Sequence, residues 1–165
     1  MLNSISFFCA FALIISSLFS LSLMAATTPP PENKSNAAPH AVTGTKEFPE
    51  GVLQTSAAAS QAWLSIVDKN KYPESWDKSS ALTKLTVPKD EWVQILEKTR
   101  KPLGSVTSRQ VVDQRTAIDP SGMPKGKYIV MFYKTVFSRK TAYELVTLNE
   151  EDGQWSVLTY QVNAE

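Results

Sequence analysis

The chain has 165 residues, 42% hydrophobic and 20% charged, which suits a single globular domain rather than a disordered or fibrous chain. Seventeen Lys and Arg stand against sixteen Asp and Glu, all at or beyond Glu32, for a formal charge of +1. A near-neutral domain lacks the basic footprint of nucleic-acid binders, so nucleic acid is not expected as a partner.

The stretch from Ile5 to Met24 carries no charge and is dominated by Phe, Leu, Ile, Ala and Ser. This is the pattern of a secretory signal, with small residues at Ala25 and Ala26 for cleavage, so residues 1–26 are read as a signal peptide. No Lys or Arg precedes the run, and its length approaches the roughly 20 residues that span a bilayer, so an uncleaved inner-membrane anchor is the alternative. Either way the rest of the chain is expected outside the cytoplasm, periplasmic or secreted, and touching the membrane only through this segment. The only cysteine, Cys9, lies inside the run. Its place ahead of most of the run argues against lipid attachment. Once the segment is removed, no disulfide, thiol nucleophile or zinc–thiolate site is available.

Residues 27–54 are expected to be a disordered Pro/Ala/Thr-rich linker, opening with Pro29-Pro30-Pro31. The only histidine, His40, falls here. The domain at 55–165 therefore lacks His and Cys, which removes Ser-His-Asp and Cys-His machinery and nearly every zinc or copper site. No catalytic residue, metal or cofactor is expected.

Three helices lead the domain. Ala59, Ala62, Trp63, Ile66 and Val67 form an apolar stripe at offsets of three and four, capped by Thr55 or Ser56 and stopped near Asn70. A short helix is predicted around Glu74–Ser79 with Trp76 facing inward. A third starts near Pro88 on the stripe Trp92, Ile95, Leu96, Thr99, with acids in its first turn and bases in its last, as the helix dipole favours. Pro102 ends it, and Gly104 lets the chain change direction.

The apolar period then switches to two. Ser105–Asp113, Lys127–Phe137, Thr141–Leu148 and Trp155–Val162 read as strands, and Asp152-Gly153 as a hairpin turn. Helices first and strands second predict the α+β class: three helices on a curved four-stranded antiparallel sheet, a cystatin-like or nuclear-transport-factor-two-like roll.

Stripe tryptophans are expected in the core. Strand alternation puts Glu144 on a face with Ala142, Val146 and Leu148, and Arg109 with Thr107 and Val111. A carboxylate among apolar neighbours needs a cation, so Glu144 is expected to pair with Arg109 or Arg100, either to fix packing or to read a polar ligand. Asp68, Glu74 and Asp77 read as solvated helix-end charges. The Glu150-Glu151-Asp152 run reads as a hairpin tip with weak affinity for a hard cation.

Ala62-Trp63-Leu64-Ser65-Ile66-Val67-Asp68, Tyr72, Ser75-Trp76, Arg100-Lys101-Pro102-Leu103-Gly104 and Ser108-Arg109 resemble a bacterial family. So do Gly126-Lys127-Tyr128, Thr135-Val136-Phe137, Glu144 and Asp152-Gly153-Gln154-Trp155. The family is the domain of unknown function numbered four-zero-one-nine, and the likeness runs from about Ala57 to Val162. The resemblance implies an exported Gram-negative protein with one small α+β domain. It marks Trp76, Arg100, Arg109 and Glu144 as motif positions, the candidate binding residues, and supplies no catalytic ones.

The leading expectation is a non-enzymatic module that binds a small ligand or peptide, or serves as an accessory protein, in the periplasm. One alternative is a carboxylate-and-tyrosine enzyme with Glu144 as base, assisted by Tyr133 or Tyr160. Another is an interaction module that uses a sheet edge for strand addition.

Overall fold

Gly51, at φ 89°, opens the first helix, α1, Val52–Asp68. The structure, a computed structural model, describes Phe48 and residues 51–165. The signal segment, Cys9, His40 and most of the linker lie outside the described residues. The buried face of α1 is Ser56, Ser60, Trp63, Leu64 and Val67, rotated from the apolar stripe so that Ala62 is exposed. The reason is hydroxyl satisfaction: Ser56 donates to the Leu53 carbonyl (3.0 Å), and Ser60 accepts from the Tyr133 hydroxyl (2.8 Å). Small side chains with their hydrogen bonds met let a helix lie close to a sheet at little cost.

Three further helices follow, α2 (Tyr72–Asp77), α3 (Ala81–Thr86) and α4 (Lys89–Arg100), then a 3₁₀ turn at Lys101–Leu103. The pattern predicts three helices in all; α3 is the addition. It is too short for periodicity to reveal, and its cap comes from far along the chain. The Glu151 carboxylate accepts from the Ala81 N–H (3.0 Å) and the Ser80 hydroxyl (2.8 Å), while Ser80 Oγ accepts from the Leu82 N–H (3.0 Å). Along α4 the buried residues are Trp92, Leu96 and Arg100, a spacing of four, so Arg100 takes the inward place predicted for Thr99. Thr99 is exposed and donates back to the Ile95 carbonyl (2.8 Å).

Four strands, β1 (Val106–Ile118), β2 (Lys127–Phe137), β3 (Thr141–Glu151) and β4 (Gln154–Ala164), form an antiparallel sheet in the order β1-β2-β3-β4. β1 runs past the predicted end at Asp113. A bulge between Val111 and Asp113 shifts its register and interrupts the alternation there. Asp152 (φ 50°) and Gly153 (φ 76°) supply the two positive φ angles of a type I′ hairpin. Gly104 (φ 85°) is required on two counts: a Cβ there would meet Ser138 Oγ at 2.1 Å.

The α+β class is as the order of elements predicts. α1 lies against β2, β3 and β4, and the core between them holds Trp63, Leu64, Ile129, Met131, Val146, Leu148 and Tyr160. Trp63 meets Trp92 edge-on at 6.0 Å and Tyr160 at 5.4 Å, and its indole N–H donates to the Ser75 carbonyl (2.9 Å). The two ends of the sheet differ. At the outer edge of β4, Ser79 bridges Val157 and the Ser80 N–H donates to the Val157 carbonyl (2.8 Å). No described strand or bridge lies beyond β1. Among the described residues no helix is long and apolar enough to cross a membrane.

Candidate functional site

Six elements each send one polar side chain to a single point beneath the sheet. β3 contributes Glu144, which alternation places on the inner face and which is fully buried. The last residue of α1 is Asp68, the last of α4 is Arg100, and β1 brings Arg109, opposite Thr135 of β2 in the register. β4 adds Tyr160.

Glu144 Oε1 accepts from Arg100 Nη1 (3.0 Å), the Tyr160 hydroxyl (2.6 Å) and, at longer range, Arg109 Nη2 (3.3 Å). Its Oε2 accepts from Arg109 Nε (2.7 Å) and the Thr135 hydroxyl. A carboxylate has about four lone-pair sites. Glu144 is therefore saturated. Asp68 takes Arg109 in a two-pronged contact (2.8 and 2.9 Å) and Arg100 Nη2 at 2.5 Å. Arg100 also stacks 4.5 Å from the Phe137 ring centre. Two guanidinium groups and two carboxylates balance, as buried charges must.

Exposure is graded. Arg100 is 4% exposed, the Arg109 and Asp68 side chains 15% and 24%, so the cluster meets solvent only along its Asp68–Arg109 rim. Burial alone would lower the Arg109 pKa, but hydrogen bonds to Asp68 and Glu144 outweigh it and hold the guanidinium charged. Burial, reinforced by the Glu144 charge, pushes the Tyr160 hydroxyl well above its ordinary value, so it remains a donor at neutral pH. Tyr133 is raised by burial too, and bonds Ser60 rather than Glu144.

A family model described as a protein of unknown function, DUF4019, matches residues 59–160. The chain belongs to the DUF4019 family. No curated protein and no solved structure gives a significant match. In this DUF4019 chain, the motif positions separate into two groups. Arg100, Arg109 and Glu144 converge, and Glu144 pairs with both arginines rather than one. Trp76 does not join them. Half-buried, it donates from its indole N–H to the Val87 carbonyl (2.8 Å) and lies under the ammonium groups of Lys84 and Lys89.

Asp68 corrects the expectation of a solvated helix end. It follows Val67 and stands four residues from Leu64, on the inner side of α1, and two arginines meet it there. That spacing was the available signal, outweighed by the surrounding lysines. Glu74 and Asp77 pair at the surface with Lys71 (2.9 Å) and Lys89 (2.7 Å). At the hairpin tip Glu151 caps α3 and Glu150 pairs with Lys127 (2.6 Å), so two of the three acids have protein partners. No group of His, Cys, Asp and Glu able to hold a metal occurs among the described residues.

Proposed function

We propose that this DUF4019 chain is an exported, non-enzymatic binding module of the periplasm that receives an extended partner segment along β1. The observation carrying this reading is the asymmetry of the sheet. The β4 edge is occupied by Ser79 and Ser80, whereas among the described residues no strand pairs with the outer edge of β1, where Val111 and Val112 are 44% and 51% exposed. Unpaired edges of this kind accept strands through main-chain hydrogen bonds.

The saturation of Glu144 weighs against the enzyme alternative. A general base needs a free lone pair within reach of its proton, and Glu144 has neither a free site nor an approach. The same closure weighs against a small ligand held by Glu144 inside the domain. The cluster serves better as the tie that sets β1 against α1 and α4 and holds its edge outward.

A photo-crosslinking side chain at Val112, with the full chain expressed in a bacterium that exports it, is expected to give a protein adduct. The same group at Gln161, on β4, is expected to give none. Equal adducts from both positions, or none from Val112, would remove the edge reading. A small molecule retained in native mass spectra would put the ligand reading in its place.

A further inference from the structure

We propose that the end of the domain where α1 and α4 stop is a docking surface for an anionic lipid membrane. This goes beyond the edge reading and adds a second membrane contact to the one expected of the N-terminal segment. The Asp68–Arg100 ion pair joins the last residues of α1 and α4. The 3₁₀ turn after α4 meets the β2–β3 hairpin, whose Arg139 N–H donates to the Leu103 carbonyl (3.1 Å). Three chain turns therefore share this end: the exit from α1, the exit from α4 and the hairpin tip. Lys71, Lys101 and Lys134 are matched there by Glu74 (2.9 Å), Glu97 (2.7 Å) and Glu165 (3.2 Å). Lys69, Lys98, Arg139 and Lys140 are exposed and meet no acid among the described residues. At the far end of the sheet, the β1–β2 and β3–β4 loops hold Asp119, Glu150, Glu151 and Asp152. A near-neutral total thus conceals a polarised domain.

Helix stability accounts for part of this array. Lys69 follows α1 directly and Lys98 lies in the last turn of α4, where the macrodipole favours cations. It does not account for Arg139 and Lys140. They stand side by side at a strand-to-strand turn, and like charges held together repel and destabilise the compact state. An anionic bilayer offsets that cost, because each Lys or Arg near its surface strengthens binding by a factor of about five. A planar array of anions meets three separate turns at once. An extended polypeptide reaches all three only by bending between them.

The test uses the chain as recovered from an exporting bacterium, with vesicles of phosphatidylglycerol or of phosphatidylcholine. The readout is the ratio of partitioning between the two, because the uncharged stretch Ile5–Met24, where retained, does not distinguish the headgroups. At roughly 50 mM salt the chain is expected to prefer the anionic vesicles, and to lose that preference near 0.5 M as screening shortens. Arg139→Gln together with Lys140→Gln is expected to lower the ratio about thirtyfold. In urea at low salt the same variant is expected to be at least as stable as wild type, since a repulsion has been relieved. Lys78→Gln with Lys125→Gln is expected to leave the ratio unchanged. Lys78 adjoins Ser79 at the β4 edge and Lys125 lies in the β1–β2 loop, both away from this end.

A wild-type chain with no preference for anionic vesicles overturns the docking surface. So does an Arg139 and Lys140 variant that keeps the preference. An equal loss from the Lys78 and Lys125 variant would make the attraction one of overall charge. If the Arg139 and Lys140 variant loses stability along with binding, the pair belongs to the fold instead. A polyglutamate peptide that binds as tightly as the vesicles would put an acidic protein segment in the membrane's place. None of these outcomes touches the β1 edge, which stands or falls on crosslinking from Val112.

Discussion

Glu144 is a charged residue that the fold cannot leave half-served. Removing one partner of a buried ion pair leaves an uncompensated charge and costs about 3–5 kcal/mol. Glu144→Gln keeps the shape but leaves two arginines to a single carboxylate, so a loss in that range is expected by urea denaturation. Asp68→Asn is expected to cost less, because solvent reaches its side chain (24% exposed) and screens what remains. If Glu144→Gln cost under about 1 kcal/mol, the cluster would not be the tie between the elements. Glu144 and Arg109 were legible in the sequence because strand alternation fixes the direction of a side chain. Asp68 was less so, since a residue ending a helix points inward or outward according to what the chain brings to meet it. Thr135, though part of a motif segment, gave no sign of joining the cluster, being an ordinary strand residue until Arg109 lies opposite.

At the scale of elements, α3 depends on a contact from a distant hairpin. Burial works to raise the Glu151 pKa, but hydrogen bonds from Ser80, Asn149 and the Ala81 N–H outweigh it and hold the carboxyl below its ordinary value. A folded pKa below the unfolded one gives stability that is present above the ordinary value and lost as pH falls through the lowered one. Glu151→Gln is therefore expected to lower stability at pH 7 and to flatten the acid limb of a stability–pH curve. A mutant curve parallel to wild type down to about pH 2 would show that the carboxylate charge is not what caps the helix. The helical pattern located α1 and α4 and placed Trp63 and Val67 on the buried face of α1, with that face rotated from the predicted stripe. Apolar spacing favoured Ala62, whereas the sheet took Ser56 and Ser60, whose hydroxyls find partners within the domain.

For the whole molecule, export is a prediction of the N-terminal segment and is tested by mass. The chain recovered from an exporting bacterium is expected to begin just after Ala25 or Ala26 and to fractionate with soluble envelope proteins. Recovery of the intact chain with membranes would favour the anchored alternative. Family membership places residues 59–160 within DUF4019 and leaves the work of the domain to be read from its surface. The sequence by itself determined the class, the order of helices before strands, the Asp152-Gly153 hairpin and the lack of His and Cys from the domain. These follow from local periodicity, turn chemistry and composition, which need no knowledge of distant contacts. Only the tertiary structure decided that Asp68, Arg100, Arg109 and Glu144 share one site, that Trp76 stands apart, and that among the described residues the β4 edge is bridged while no strand pairs beyond β1. Those outcomes depend on which remote segments meet, and a side chain's charge does not specify its partner until the backbone has brought that partner within reach.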